Sequence, residues 1–525
     1  MSKPISFEAL DFKVVSSMDE TRSRPKPETP FRICILGDFS GRSNRSIVDP
    51  SFAFEKPRPI KVDRDNIEDV MKTLGVTIQL SLAGESGPPV VIRFAELDDF
   101  HPEQLYAHLD LFQTLRETRK RLNDLRTYAS AKKEIQSWMG ADETSEPPEP
   151  VLKQPPPKPA LRGQVSGSLL DQIVGEAEGR HPDTRTVSQP SEWDAFLQKI
   201  VGPYLVPGDD PEQEELVGAV DASISGLMQT ILHHPDFQAI ESAWRALRFL
   251  VNRVETDALL KVYLLDISKD ELAADLRASD DLETTGTYRL FVEQASGIPG
   301  GEPWAMLAGN YSFDKTRDDA EILGRMAIIA RFAGAPFITA AHDHFLGCDS
   351  LAHTPDSDDW NRSVDAKDRR AWEALREFPD VTYLGLVLPR FLLRLPYGEA
   401  SDPVNYFDFE EMPQGSAHED YLWGNPSFAC ALLLAQAFSR YGWDLAPGRY
   451  LEIRGLPLHV YREDGKAVVK PCAEVLLTER AALGMMDKGI MPLLSIKNQD
   501  AVRLGRFQSL ADPPTRLAGR WEAHE

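Results

Sequence analysis

The chain has 525 residues, room for roughly two to four folding units. Its 42% apolar content suffices for full cores, so neither disulfides nor a structural metal is needed to hold the fold. A net charge of -24 argues against a protein whose main task is gripping nucleic acid or an anionic membrane, since both depend on Lys and Arg.

The opening MSKPISFEALDF has no basic stretch followed by an apolar core, so no signal peptide is expected. No apolar run approaches the roughly 20 residues of a membrane span. Cys34, Cys348, Cys430 and Cys472 are far apart and form no CxxC pair, which fits a reducing compartment. The expected location is cytoplasmic.

In LDFKVV, Leu10, Phe12 and Val14 alternate with charged residues, the pattern of a strand with one buried face. RICIL predicts a short buried strand, and GDFSGR after it predicts a loop. VTIQLSL and VVIRF flank AGESGPP as the arms of a hairpin. HPEQLYAHLDLFQTLRETRKRL predicts one helix, with Pro102 in its first turn and Leu105, Leu109, Phe112 and Leu122 along one side. Residues 141–190 begin as a proline-rich spacer. Within them SLLDQIVGEA, with Leu169, Leu170, Ile173 and Val174 at helical spacing, is either a linker helix or a docking helix for a partner.

HHPDFQAIESAWRALRFLVNRVE is strongly amphipathic, with Phe237, Ile240, Trp244 and Leu247 as the expected core face of a structural helix. KVYLLDISKDEL predicts a strand running into a helix, started by a capping box of Ser268 and Glu271. PFITAA and VTYLGLVLP predict apolar strands, set among helices around AEILGRMAIIARFA and NPSFACALLLAQAFSRYGW. Asn425 and Pro426 suit the N-cap and first position of the last helix. Strands alternating with helices predict an α/β (mixed α+β) fold with a sheet covered on both faces.

Motifs for chemistry are sparse. GDFSGRSN fits neither GxxxxGK nor GxGxxG, so Asp38, Ser40 and Arg42 are expected to shape a turn, with Asp38 bonding local N–H groups, and no ligand is assigned to them. AAHDHFLG places His342, Asp343 and His344 together after a strand. Two histidines two apart can face one side and take a metal, but no HExxH or second cluster completes them, and a polar loop is the expectation. There is no GxSxG elbow. The sequence therefore assigns no catalytic residue, no cofactor and no metal.

Longer strings are more specific. HHPDFQAIESAWRALRFLVNRVE, KVYLLDISKDELAADL, PWAMLAGNYSF, APFITAAHDHFLG, LPRFLLRLPYG, FEEMPQGSAHEDYLWGNPSFACALLLAQAFSRYGW and GIMPLLSIKNQDAVRLGRFQS, in this order over 231–509, resemble the large subunit of the type VI secretion contractile sheath. FRICILGDFSGR, KVDRDNIEDVMK and FAELDDFHPEQL resemble the small sheath subunit. The resemblance implies a small-subunit-like domain (1–140), a linker (141–190) and a shortened large-subunit-like domain (191–525). The two subunits are normally separate chains that fold into one protomer, and a covalent join makes their pairing intramolecular.

It further implies a non-enzymatic, bacterial, self-assembling protein stacked in rings around an inner tube, with neighbours tied by exchanged strands. Leu10, Phe12 and Val14 are the candidates for that exchanged strand; the alternative is an ordinary edge strand within one protomer. The implied partners are itself or other sheath subunits, the inner tube protein, baseplate components and an AAA-type disassembly ATPase, with no nucleic acid and no membrane insertion. The large-subunit family continues for roughly a hundred residues past the segment matching RFQS, a domain-scale length. Here only LADPPTRLAGRWEAHE follows. The alternative expectation is thus an accessory protein that caps sheaths or regulates their assembly without polymerising.

Overall fold

A computed structural model describes residues 25–46, 59–82, 89–139, 213–296, 301–413, 417–463 and 465–522, with the backbone of two short strands before them. SLLDQIVGEA and the rest of 141–190 lie outside the described residues. Those first strands, β1 (Ile5–Phe7) and β2 (Phe12–Val14), pair antiparallel in a sheet of their own. Then come β3 (Phe31–Gly37), β4 (Ile60–Val62), and the β5 (Val76–Leu80) and β6 (Val90–Phe94) hairpin. After residue 213 follow β7 (Leu260–Asp266), β8 (Trp304–Phe313), β9 (Phe337–Ala341) and β10 (Leu384–Leu388). β11 (Phe391–Leu392) pairs with β12 (Trp423–Gly424), β13 is Glu452–Ile453, and β14 (Val460–Glu463) with β15 (Lys466–Val469) makes an exposed hairpin. β16 (Ile490–Ser495) and β17 (Val502–Leu504) complete the strands.

Nine strands form one sheet in the order β13-β17-β16-β10-β9-β8-β3-β7-β4. From β16 to β7 every neighbour pair is parallel; β4, β17 and β13 are antiparallel additions at the edges. Parallel strands need apolar residues on both faces, because helices cover both. The run Ile33 to Leu36 is fully buried, and β9 and β10 are buried at every position. β3 pairs with β7 along its whole length, from Phe31↔Leu260 to Gly37↔Asp266, and takes β8 on its other side. The segment resembling the small subunit therefore supplies a central strand between strands of the segment resembling the large one.

Helices follow the strands as crossovers: Lys269–Arg277 after β7, Arg317–Ala333 after β8, and Ala366–Glu377 after β9. The Ser268–Glu271 capping box forms as its spacing requires. The Ser427–Tyr441 helix begins one residue later than expected, with Pro426 as its cap. Asn425 Oδ1 still accepts the Ser427 amide at 3.0 Å.

The single helix expected over 101–122 is broken. Pro102–His108 ends at Leu109, whose φ -80° and ψ 128° are extended, and Gln113–Asn123 starts afresh after a short turn. The cause is the run Leu109, Leu111, Phe112. In a straight helix Leu109 and Leu111 would lie roughly 200° apart, whereas the break buries both.

Contacts divide the chain into two units. One comprises Met1–Leu82, Pro89–Thr114 and Ile224–Glu525 and contains the sheets; the other comprises Ala83–Pro88 and Leu115–Ser223. Within the second unit, Arg119 forks onto Asp221 (2.5 and 3.1 Å), and Leu115, Leu122, Ala131, Leu216 and Val220 are buried. All four cysteines are buried free thiols. Among the described residues, no helix is long and apolar enough to cross a membrane.

Candidate functional site

Numbered along the chain, the parallel strands stand in the order 2-1-3-4-5-6, with β3 as strand 1 between β7 and β8. The order reverses at β3, and such a reversal opens a crevice beyond the carboxyl ends of the strands, the usual place for a ligand in open α/β sheets. The loop that enters this crevice is GDFSGR.

Its amides are already engaged by the chain's own carboxylates. Asp38 Oδ1 accepts the Gly41 and Arg42 amides at 2.8 and 3.0 Å, and Asp38 Oδ2 accepts that of Ser43 at 2.8 Å. Asp266, at the end of β7, accepts the Phe39 and Ser40 amides at 2.8 and 3.1 Å. Gly41 has φ +75°, and a Cβ there would sit 2.4 Å from the Thr77 carbonyl oxygen, so the turn excludes other residues. Arg42 turns inward, 3.5 Å from Asp266 and 3.1 Å from Glu271. Burial pushes the Asp266 carboxyl up, against the pull of Arg42 and the loop amides.

The Pro235–Val251 helix closes the top. His234 caps it through Nδ1, and Pro235 opens it. Trp244 Nε1 donates to the Phe39 carbonyl at 2.9 Å, with the Phe39 ring edge-on at 5.4 Å. Phe237 meets Phe94 and Phe100, each at 5.8 Å between ring centroids. Phe237, Ile240, Trp244 and Leu247 are all buried. Five N–H groups that could face a phosphate thus face carboxylates beneath an indole, and Asp38 serves the local turn.

The same helix is clamped from its other side. Arg394 forks onto Glu241 (2.8 and 3.2 Å) and onto Glu411 (2.7 and 3.0 Å). Arg245 joins Glu241 to the Tyr397 hydroxyl. Burial alone would raise the Glu411 carboxyl, but Arg394 and the donors around it bring it down to about 2. Buried Glu474 is held in the same way by the partly exposed Arg390 and His418, and its carboxyl too is brought down to about 2, burial being outweighed by these two partners. Sequence reasoning gave these residues no role. The signal was two arginines and FEE inside otherwise apolar strings, but their partners are unpredictable by spacing.

Further along the same sheet edge, beyond β8 and β9, the polar groups are open. Asp314, His342 and His344 each offer a ligand atom, all within 4.8 Å of one another. His344 Nδ1 lies 2.8 Å from Asp314 Oδ2, and the two imidazoles are 4.1 Å apart. The sequence grouped the two histidines; Asp314, from the preceding strand's end, is supplied by the fold. Asp343 Oδ2 accepts the Leu351 amide at 2.7 Å. A cleft of about 440 Å³ adjoins, lined by Ser312, His342, Asp349, Ser350 and Arg390 among others.

Of the residues named for strand exchange, Phe12 and Val14 lie on β2, opposite Phe7 and Ile5 of β1, and Leu10 is outside the described residues. No other strand among the described residues joins this pair.

Known proteins bear on this arrangement. Residues 14–141 match the family described as type VI secretion system, VipA, VC_A0107 or Hcp2. The chain is 37% identical over 308 residues to the type VI secretion system sheath protein TssC1 of Pseudomonas aeruginosa, covering 57% of this chain and 61% of that protein. It is 26% identical over 111 residues to the sheath protein TssB1 of the same organism, covering 20% of this chain and 62% of that one. The chain thus spans about three fifths of the length of each curated relative it matches. Residues 214–511, more than half of the chain, match EvpB/VC_A0108, tail sheath N-terminal domain, and to that family of type VI secretion sheath proteins the chain belongs.

Proposed function

We propose that this chain is a structural subunit of a type VI secretion contractile sheath, in which small- and large-subunit-like parts of one polypeptide (1–140 and 191–525, joined through 141–190) make a protomer. The observation that carries this reading is β3, from the small-subunit match, hydrogen-bonded between β7 and β8 of the large-subunit match. A strand at the centre of a sheet cannot be withdrawn without losing two ladders, so the two parts act as one body. The role is structural rather than enzymatic: the loop that topology favours for a ligand is filled internally. Assembly with itself or with separate sheath subunits, around an inner tube and on a baseplate, follows from this reading, as do the cytoplasmic location and later removal by an AAA-type ATPase. The β1–β2 pair, with strands that have outer edges free among the described residues, supports strand addition between copies.

Negative-stain microscopy tests the proposal. The purified chain, alone or mixed with separate sheath subunits, should form tubes or rings, and removal of residues 1–24 should abolish them. A chain that stays monomeric in both settings and never co-purifies with sheath subunits defeats it.

A second reading, an accessory cap, is favoured by the edges of the main sheet. β13 and β4 are only two and three residues long and offer little for another strand to pair with. It predicts binding at sheath ends and shorter sheaths when the chain is in excess; labelling spread evenly along the sheath counts against it.

A further inference from the structure

We propose that Asp314, His342 and His344 bind a first-row divalent cation, of which zinc is the best match, at the carboxyl ends of β8 and β9. Two imidazoles and one carboxylate are borderline donors suited to zinc and its neighbours, whereas magnesium and calcium require shells of oxygen. This is the one such group among the described residues.

The spacing is close to what a metal needs. Bonds of about 2.0–2.1 Å in a tetrahedron place ligand atoms roughly 3.4 Å apart. Here His344 Nδ1 and Asp314 Oδ2 are 2.8 Å apart and all three ligand atoms lie within 4.8 Å of one another, so modest side-chain rotation brings them onto one ion. His342 and Asp314 are also oriented from behind. The His342 ring caps the turn Asp343–Phe345, accepting the His344 amide through Nδ1 at 3.4 Å. Asp314 Oδ1 accepts the Lys315 amide at 2.6 Å, leaving Oδ2 toward the histidines. The side chains of His344 and Asp314 are 25% and 34% exposed, open to an ion from solvent, and the adjoining cleft has room for the waters that complete a shell.

Such a clip joins the loop after β8 to the loop after β9. Nothing in the sheath reading requires it, so either can fail alone. Calorimetric titration of the tag-free full chain with zinc chloride tests it, alongside magnesium chloride. The expected result is one zinc per chain and no magnesium uptake. His342→Ala and His344→Ala should each weaken zinc by more than the roughly 10–100-fold that loss of an outer partner costs, while the exposed control His353→Ala should not. Melting curves in chelator establish that each variant is folded. Cobalt(II) gives a second readout that misfolding cannot mimic: an intense visible band for a tetrahedral site in the wild type, absent in His344→Ala. No zinc uptake, or equal affinity across all variants, overturns the proposal.

Discussion

Two stretches of one sheet edge use polar groups in opposite ways. Beyond β3 and β7, the loop's charged groups pair within the protein: Asp38 and Asp266 hold the loop amides, Arg42 pairs with Asp266 and Glu271, and Trp244 seals the top. Beyond β8 and β9, Asp314, His342 and His344 are exposed or partly exposed, and their side chains face one another. The difference lies in what packs above. The Pro235–Val251 helix covers the first stretch and makes unpaired charge there costly, whereas water screens the second. Topology alone nominates the crevice at β3 for a ligand; the side chains close it.

Breaking the seal should have the largest effect. Trp244→Ala removes a fully buried indole and its hydrogen bond to Phe39, for an expected loss of roughly 3–5 kcal/mol. Chemical denaturation of the purified variant measures it, and near-wild-type stability would mean that the helix does not hold the loop.

Acid should then cost more stability through the buried carboxylates than through the open groups. Glu411 and Glu474 are held at about 2, below their ordinary 4.5. A depressed carboxyl contributes stability that is fully present above about pH 4.5 and is lost as pH falls toward 2, about 3 kcal/mol for each group. Thermal melting between pH 6 and pH 3 should therefore fall steeply. In Glu411→Gln, weaker at pH 6 because Arg394 loses a charged partner, the curve should be flatter.

How much of this was legible follows from distance along the chain. RICIL, the β5–β6 hairpin, the Ser268–Glu271 box and the Asp38 turn are local, written within a few residues, and the sequence shows them. The break at Leu109 is local too, yet hidden, because Leu109 and Phe112 fit a helical count until Leu111 must be buried along with them. Arg42 and Glu271 are 229 residues apart, Arg394 and Glu241 are 153 apart, and no spacing rule joins them. The same holds for β3 between β7 and β8: resemblance to paired subunits implied one protomer, but neither it nor periodicity placed the strand. The metal-type group falls between: two histidines two apart in sequence, and Asp314 thirty residues before the second.

A smaller change sharpens the closed side. Asp38→Ala leaves the Gly41, Arg42 and Ser43 amides without their carboxylate in a loop that is only partly exposed. The expected cost is roughly 1–3 kcal/mol. Asp38→Asn should recover much of it, since an amide oxygen still accepts. If alanine and asparagine are equal, the loop is held by Asp266 and Arg42 alone.

The smallest effect belongs to the open side. With no metal bound, His344→Ala should cost less than about 1 kcal/mol, because a partly exposed imidazole–carboxylate contact gains little over hydration. The comparison turns on this number. If His344→Ala in chelator destabilises the chain as much as Asp38→Ala does, the pair with Asp314 is part of the folded frame, and the two stretches differ in position but not in kind. If the loss is small in chelator and grows when zinc is present, the open side is held by an ion from outside while the closed side is held by the chain itself.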